Sequence, residues 1–299
     1  MSQATGVCLA VLGGAGAALQ ARINGELALR IGNGIAAATI SFLIGLGLLL
    51  LAVGWMRPGL LKVRLALRDG SLRWWQLLGG VCGAFLVATQ GLTVPVLGVA
   101  VFTVAIVAGQ SASSLAVDRA GLAPGGRRTL TASRAWGAVL CVVAVLIAVS
   151  DRIGDAKALG LALLPALAGV GSAWQLGMNG FVRQAAGANL PATFVNFLAG
   201  TVALLLGLGT DLLIGGGIGP LPAEPWLYLG GPLGIGFIAI AAAVVKRIGV
   251  LLLGMAAIAG QILGSLVVDA VAPAAAGPPD ARTIAGALLA LAAVALASR

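Results

Sequence analysis

Ten stretches of roughly 20 apolar residues, each ended by charge, Pro or Gly, constrain this chain more than any other feature. Wound as a helix, a stretch of that length covers the ~30 Å hydrocarbon core of a bilayer. Lipid cannot satisfy backbone N–H and C=O groups, so only helices or closed barrels span it. A barrel would alternate apolar and polar residues in short segments, whereas these runs are continuous. Composition agrees, with 60% of the 299 residues apolar and 9% charged, against roughly 25% charged in a water-soluble domain. The expected fold is an all-α membrane protein with ten transmembrane helices, at about 5–25, 35–55, 75–94, 97–117, 135–149, 159–181, 191–209, 226–245, 248–268 and 283–297. Pro95 falls at the turn between the third and fourth. No basic residue precedes the first run, which therefore reads as a spanning helix rather than a cleaved signal. The basic connection 57–73 is expected to lie in part as a short amphipathic helix in the interface.

The segments divide into two copies of one five-helix unit, with domains at 1–150 and 151–299. Residues 16–45 align without gaps to 171–200, setting Gln20 on Gln175, Asn24 on Asn179, Gly25 on Gly180, Phe42 on Phe197 and Gly45 on Gly200. After a shorter connection the offset falls from 155 to 151, and 75–83 then matches 226–234 while 108–118 matches 259–269. Composition alone scatters matching Gly, Ala and Leu, but rarely brings Gln, Asn, Trp and Asp into register too. Five is odd, so the second copy must enter the membrane from the opposite side. The result is an inverted-topology pair about an axis in the membrane plane.

A net charge of +9 would suit a nucleic-acid partner if the 18 basic residues formed a surface; instead they sit in the short connections. With the N-terminus in the cytoplasm, thirteen of them fall on that side and five (Arg22, Arg30, Arg152, Lys157 and Arg282) on the other. Positive-inside bias then puts both termini in the cytoplasm. Histidine is absent. Cys8, Cys82 and Cys141 each lie in an apolar run without CxxC spacing and read as small buried hydrophobes.

Buried ionisable residues mark ion and proton paths, and almost none fall at mid-helix depth. Paired carboxylates or a nucleophilic constellation have no residues to build them, so no enzyme, metal or cofactor is expected. What remains are neutral hydrogen-bonding or aromatic candidates for substrate binding: Gln20, Asn24, Gln90, Gln110, Trp174, Gln175, Asn179, Asn196 and Gln261. Gln20/Asn24 and Gln175/Asn179 are each four apart, hence on one helix face. Two chemistries satisfy such amides. One is helix–helix bonding, worth about 0.6 kcal/mol on average in membranes; the other is a cavity that binds a polar or cationic solute. Inversion brings both Q-x-x-x-N-G sites to one axis, which favours the cavity for the pair. Trp174, Phe194 and Phe197 are candidates for its wall, through packing or cation–π contact. Asp118 and Asp269 follow matched serines and read as caps of helix ends or neighbouring turns. Glu26, matched by Phe181, is the carboxylate to test first for ion coupling.

The segment 20–45, with Q20-x-x-x-N24-G25 and S41-F42-x-x-G45, and the later A108-G109-Q110 with D118, resembles a bacterial inner-membrane family once described only as a domain of unknown function. That family is grouped with the drug/metabolite transporters and related to the YdcZ exporter. The resemblance covers nearly the whole chain and implies the fused, ten-helix form of a five-helix module. The second copy departs from the pattern, with Asn196 for Ser41 and Lys246 for Pro95. The resemblance implies an exporter or importer of small metabolites or drugs. With the inverted repeat, the expected function is a secondary transporter in the cytoplasmic membrane that moves a small polar or cationic metabolite or drug by alternating access, most simply as an exporter. A channel-like pore and a non-transporting scaffold or accessory subunit are the alternatives. Its partners would be a small-molecule substrate and membrane lipid, with no nucleic acid, and the chain would act as monomer or homodimer.

Overall fold

The computed structural model describes residues 2–124, 126–127, 131–150, 156–275 and 277–297, with backbone alone at 156–159, 242, 245–247 and 249–251. Charges that neutralise one another along a helix let it run past its apolar stretch. Helix α1 (Gln3–Ile31) therefore continues beyond Gly25, where hydropathy ends it, because Glu26 accepts Arg22 at 3.1 Å and Arg30 at 3.0 Å one turn either side. Gly32, left-handed at φ 68°, stops it. Asn33 then caps α2 (Gly34–Leu51), its side chain accepting from the Ala36 N–H at 2.9 Å. Next comes α3 (Val53–Arg68), the amphipathic helix expected within 57–73, and a 3-10 turn at Trp74–Leu78.

Helices α4 (Gly79–Leu97) and α5 (Val99–Ala120) meet at Gly98. The expectation that Pro95 makes this turn is corrected: Pro95 lies inside the last turn of α4, and the reversal falls on Gly98 at φ 83°, ψ 165°, a conformation few residues but glycine adopt. The freed N–H groups of Val99 and Ala100 are taken by the buried Asp269 carboxylate at 2.9 and 2.7 Å. Asp269 thus caps a neighbouring turn in the other repeat. Its counterpart Asp118 pairs instead with Arg134 at the start of α6 (Ala132–Ala148).

The second repeat holds α7 (Ala156–Ala186), α8 (Asn189–Leu213), a 3-10 turn at Pro225–Tyr228, α9 (Gly230–Val271) and α10 (Ala281–Ala297); the boundary between repeats, at 151–155, lies outside the described residues. Where the sequence predicts two helices around Lys246, α9 is one helical stretch of 42 residues. Straight, it would put Phe237 and Ala257 about 30 Å apart. Phe237 instead lies against Gly13 of α1 and Ala257 against Gly14, so the two legs of α9 run back along each other. Ala10 of α1 sits among Val244, Ile248 and Ala256 at the reversal. Among the described residues seven helical stretches are long and apolar enough to cross a membrane. Three shorter apolar helices, Ala132–Ala148, Gly230–Ala241 and Ala281–Ala297, fill the remaining expected positions. Of the cysteines, Cys141 is buried and Cys82 half-buried, while Cys8 is exposed on the outer face of α1, contrary to the expectation of burial.

The repeats interlock by exchanging their first helices. Helix α1 packs against α9, and its counterpart α7 packs against α4 and α5, while α2 meets α8 and α6 meets α10. The contacts match residue for residue. Gly14 lies against the Ala257 carbonyl and Gly169 against that of Ile106; Gly109 meets the Ala166 carbonyl and Gly260 that of Val11; Gly80 meets the carbonyl of Asn196 and Gly231 that of Ser41. Every one of these pairs obeys the 155 or 151 offset. At each, a Cβ would fall inside van der Waals contact of a backbone oxygen, so absent side chains set the helix spacing, as is common between membrane helices.

The two repeats are inverted. The α3 helix packs on the C-terminal end of α7 through Val63, Ala66, Val182 and Ala186, so the 52–73 and 187–188 connections share one end of the bundle. At the other end the α1–α2 turn holds the 214–224 loop, where the Gly219 N–H donates to the Ile31 carbonyl at 2.8 Å and Asn33 Nδ2 to the Gly217 carbonyl at 3.1 Å. Asn33 Nδ2 also donates to Asp211, in the last turn of α8, at 2.7 Å.

Candidate functional site

Four glutamines from four helices converge midway along the bundle: Gln20 on α1, its counterpart Gln175 on α7, Gln110 on α5 and its counterpart Gln261 on α9. They line a cavity of about 290 Å³, together with Gln90, Asn179 and Asn196. Seven of the nine sequence-predicted binding residues are thus brought to one place. Gln20, Gln110 and Gln261 make no side-chain hydrogen bond among the described residues, which leaves their donors and acceptors free for a solute. Among the described residues, none that lines the cavity is charged.

The other two candidates lie outside the lining. Asn24 is fully buried, donating through Nδ2 to Gln90 Oε1 at 2.6 Å and accepting at Oδ1 from Ser41 Oγ at 2.5 Å. It orients Gln90, which does line the cavity. In the second repeat the equivalent positions form a different arrangement, in which Asn196 Oδ1 accepts from both Gln175 Nε2 and Asn179 Nδ2 at 3.0 Å. The exchange of Ser41 for Asn196 accounts for the change, since an amide oxygen can accept twice and reach further than a hydroxyl. Trp174 is partly exposed on α7 and does not reach the cavity. Glu26 also lies outside it, held between Arg22 and Arg30.

Aromatic rings form the rest of the wall: Phe42, Phe102, Phe197 and Phe237. Phe42 and Phe197, aligned in the two repeats, face each other across the axis with centroids 5.0 Å apart and planes tilted by 36°. Each ring rests on the glycine of the other's helix, Phe197 on Gly45 and Phe42 on Gly200. Phe194, a sequence candidate for the wall, packs instead into the core between α2, α4 and α8. Sequence reasoning missed Phe102, Phe237, Thr103 and Ser172, and it aligned Phe42 with Phe197 without placing Phe42 in the wall. Thr103 and Ser172 lie inside apolar runs and carry no repeat signal, since Gly254 and Ala17 hold their matched positions. Phe237 matches Leu86, which also lines the cavity, so its place was readable only from the offset once Leu86 was known.

A family model described as "Putative inner membrane exporter, YdcZ" matches the chain twice, over residues 5–147 and 160–296. A search of curated proteins finds no relative. One solved structure, described only as the crystal structure of a protein, matches 99% of this chain and 96% of its own at 19% identity and a TM-score of 0.53. At that identity the likeness shows a shared fold. The two family matches coincide with the two interlocked repeats, and the chain belongs to the YdcZ inner-membrane exporter family within the drug/metabolite transporters, in a tandem two-repeat form.

Proposed function

We propose that the protein is a secondary transporter that exports a small polar or cationic metabolite or drug by alternating access, with the mid-bundle cavity as its binding site and both termini in the cytoplasm. The observation that carries the reading is an uncharged cavity built from repeat-related amides and phenylalanines, on the axis between two inverted repeats. Its volume of about 290 Å³ stands at the small end of ligand sites. Free amides offer both donors and acceptors, and ring faces attract a cation without a carboxylate. With neither an acid nor a base among the described residues of the wall, hydrogen-bonding pattern and ring contact do the selecting.

Repeat-related positions also sit in different surroundings, as expected when one end is shut and the other open. Asn179 and Asn196 line the cavity, whereas Asn24 and Ser41 are closed off from it. Leu176 in the wall is 61% exposed and its counterpart Ala21 2%. The described basic connections around α3 lie at the Asn179 end, which positive-inside bias makes the cytoplasmic end. Exchange of these two environments between the repeats is the simplest alternating-access step.

The test is ligand-induced stabilisation of purified protein against a panel of small neutral amides and organic cations, followed by uptake of any stabilising compound into proteoliposomes. A compound of fixed charge is expected to stabilise saturably and equally from pH 6 to 8, because no group in the wall titrates. Glu26→Gln is expected to leave this binding intact, and a changed pH dependence of flux in that variant would locate ion coupling there. Conductance that persists with no saturation by the compound would replace the transporter reading with a pore.

A further inference from the structure

We propose that α3 is a binding site for anionic phospholipid, lying in the headgroup layer of the leaflet at the Asn179 end of the bundle. The inference needs the membrane and not the transport reading. At 100° per residue, Arg57, Arg64 and Arg68 fall within about 40° of one another, a cationic stripe about 16 Å long. All three are exposed, and none forms an ion pair among the described residues. The nearest acid in sequence, Asp69, is engaged by Ser71, whose side chain and then whose N–H, at 2.9 Å, hold its carboxyl below the usual range.

Beside the stripe runs an apolar ridge of Leu61 and Leu65, each 58% exposed, continued past Pro58 by Trp55 at 85%. The opposite face, Met56, Gly59, Val63 and Ala66, is buried against the bundle. Gly59 sits so close to Pro191 of α8 that a Cβ there would collide with its ring. The helix is therefore pinned, with its stripe presented in one orientation. A helix with one face on protein, one apolar and one cationic fits the boundary between acyl chains and phosphates, and basic clusters on such helices take anionic lipid.

The second repeat has no counterpart. Its matching connection, 214–224, is a Gly/Pro-rich loop carrying Glu224 and no base, tied down by Arg30 and Asn33. Duplication supplied both copies with five spanning segments but only one end with this helix, as expected for a device that reads one leaflet.

The experiment uses the full chain in nanodiscs, comparing phosphatidylcholine alone with mixtures containing phosphatidylglycerol, and following bound lipid by native mass spectrometry and the thermal midpoint. Phosphatidylglycerol is expected to bind saturably, with an affinity that falls at high salt. The R57Q/R64Q/R68Q variant should lose at least tenfold in that affinity while matching wild type in phosphatidylcholine alone. Leu61→Gln with Leu65→Gln should also weaken phosphatidylglycerol, which separates a lipid from a free anion. Should the triple variant prove unstable, Arg64→Gln alone is expected to give a smaller loss in the same direction. An unchanged preference for phosphatidylglycerol in the arginine variants, or equal stabilisation by inorganic phosphate, would overturn the proposal.

Discussion

Gly109→Ala and Gly260→Ala are each expected to remove much of the folded protein, measured as monodisperse yield and thermal midpoint in detergent, and to do so to a similar extent. The reason is the neighbour. A Cβ at Gly109 would collide with the Ala166 carbonyl oxygen and one at Gly260 with that of Val11. Neither oxygen is the end of a flexible side chain, so relief requires lifting one helix off another. Overpacking typically costs about 1–3 kcal/mol where side chains can yield, and here they cannot. The crossing of α5 on α7 also includes Gly169 against the Ile106 carbonyl, and that of α1 on α9 includes Gly14 against Ala257, so each separation breaks two close contacts. Gly47→Ala and Gly209→Ala have nothing within 4 Å of the new carbon. They should leave the midpoint unchanged or raise it slightly, since glycine costs a helix about 0.5–1 kcal/mol relative to alanine. A large loss at 109 with none at 260 would show that the repeats are not equivalent in packing.

Gln110→Leu combined with Gln261→Leu is expected to abolish measurable binding of any compound that stabilises the wild type, while folded protein is retained. Neither amide has a partner inside the protein among the described residues, so leucine of similar size orphans nothing. The bound solute loses instead. Leaving one of its polar groups unpaired costs about 1–3 kcal/mol, roughly tenfold to a hundredfold for each position. The pair should therefore weaken binding by about a hundredfold or more, with each single variant near a tenth of that or less. Isothermal titration, or the concentration dependence of stabilisation, measures it. Asn24→Ala offers the contrast, because it leaves Gln90 and Ser41 without their buried partner and should cost stability before it costs affinity. Undiminished affinity in the double variant would detach these glutamines from the site.

The spanning segments and the duplication were legible because both are repeated signals: hydropathy averages over 20 residues, and the register matched polar residues that lipid rarely tolerates. The ends were not legible where local chemistry overrides hydropathy. Two arginines around Glu26 carry α1 on to Ile31, and the 95–98 turn belongs to Gly98 because an aspartate 170 residues away in the chain supplies its cap. The amide set of the cavity was largely readable, since helix periodicity fixes which face a residue shares. That periodicity does not say which turn of the face a neighbouring helix will cover. Gln20 and Asn24 share a face, yet Gln90 reaches Asn24 and buries it, while in the second repeat alanine (Ala241) holds the position that matches Gln90 and Asn179 stays in the cavity wall. The aromatic wall was harder still, because Phe102 and Phe237 look like any other core residue until the helices are assembled.

Inversion of the two repeats underlies every step from the shared axis to the exchange of environments. It is tested most directly by single cysteines at Ser71 and Ala223, in a background with Cys8, Cys82 and Cys141 replaced, labelled in intact cells with a reagent that cannot cross the membrane. Both positions are exposed, in corresponding connections of the two repeats. Inverted repeats require that Ala223→Cys react from outside and that Ser71→Cys react only after the cells are opened. Reaction of both from the same side would mean parallel repeats and would contradict the inversion.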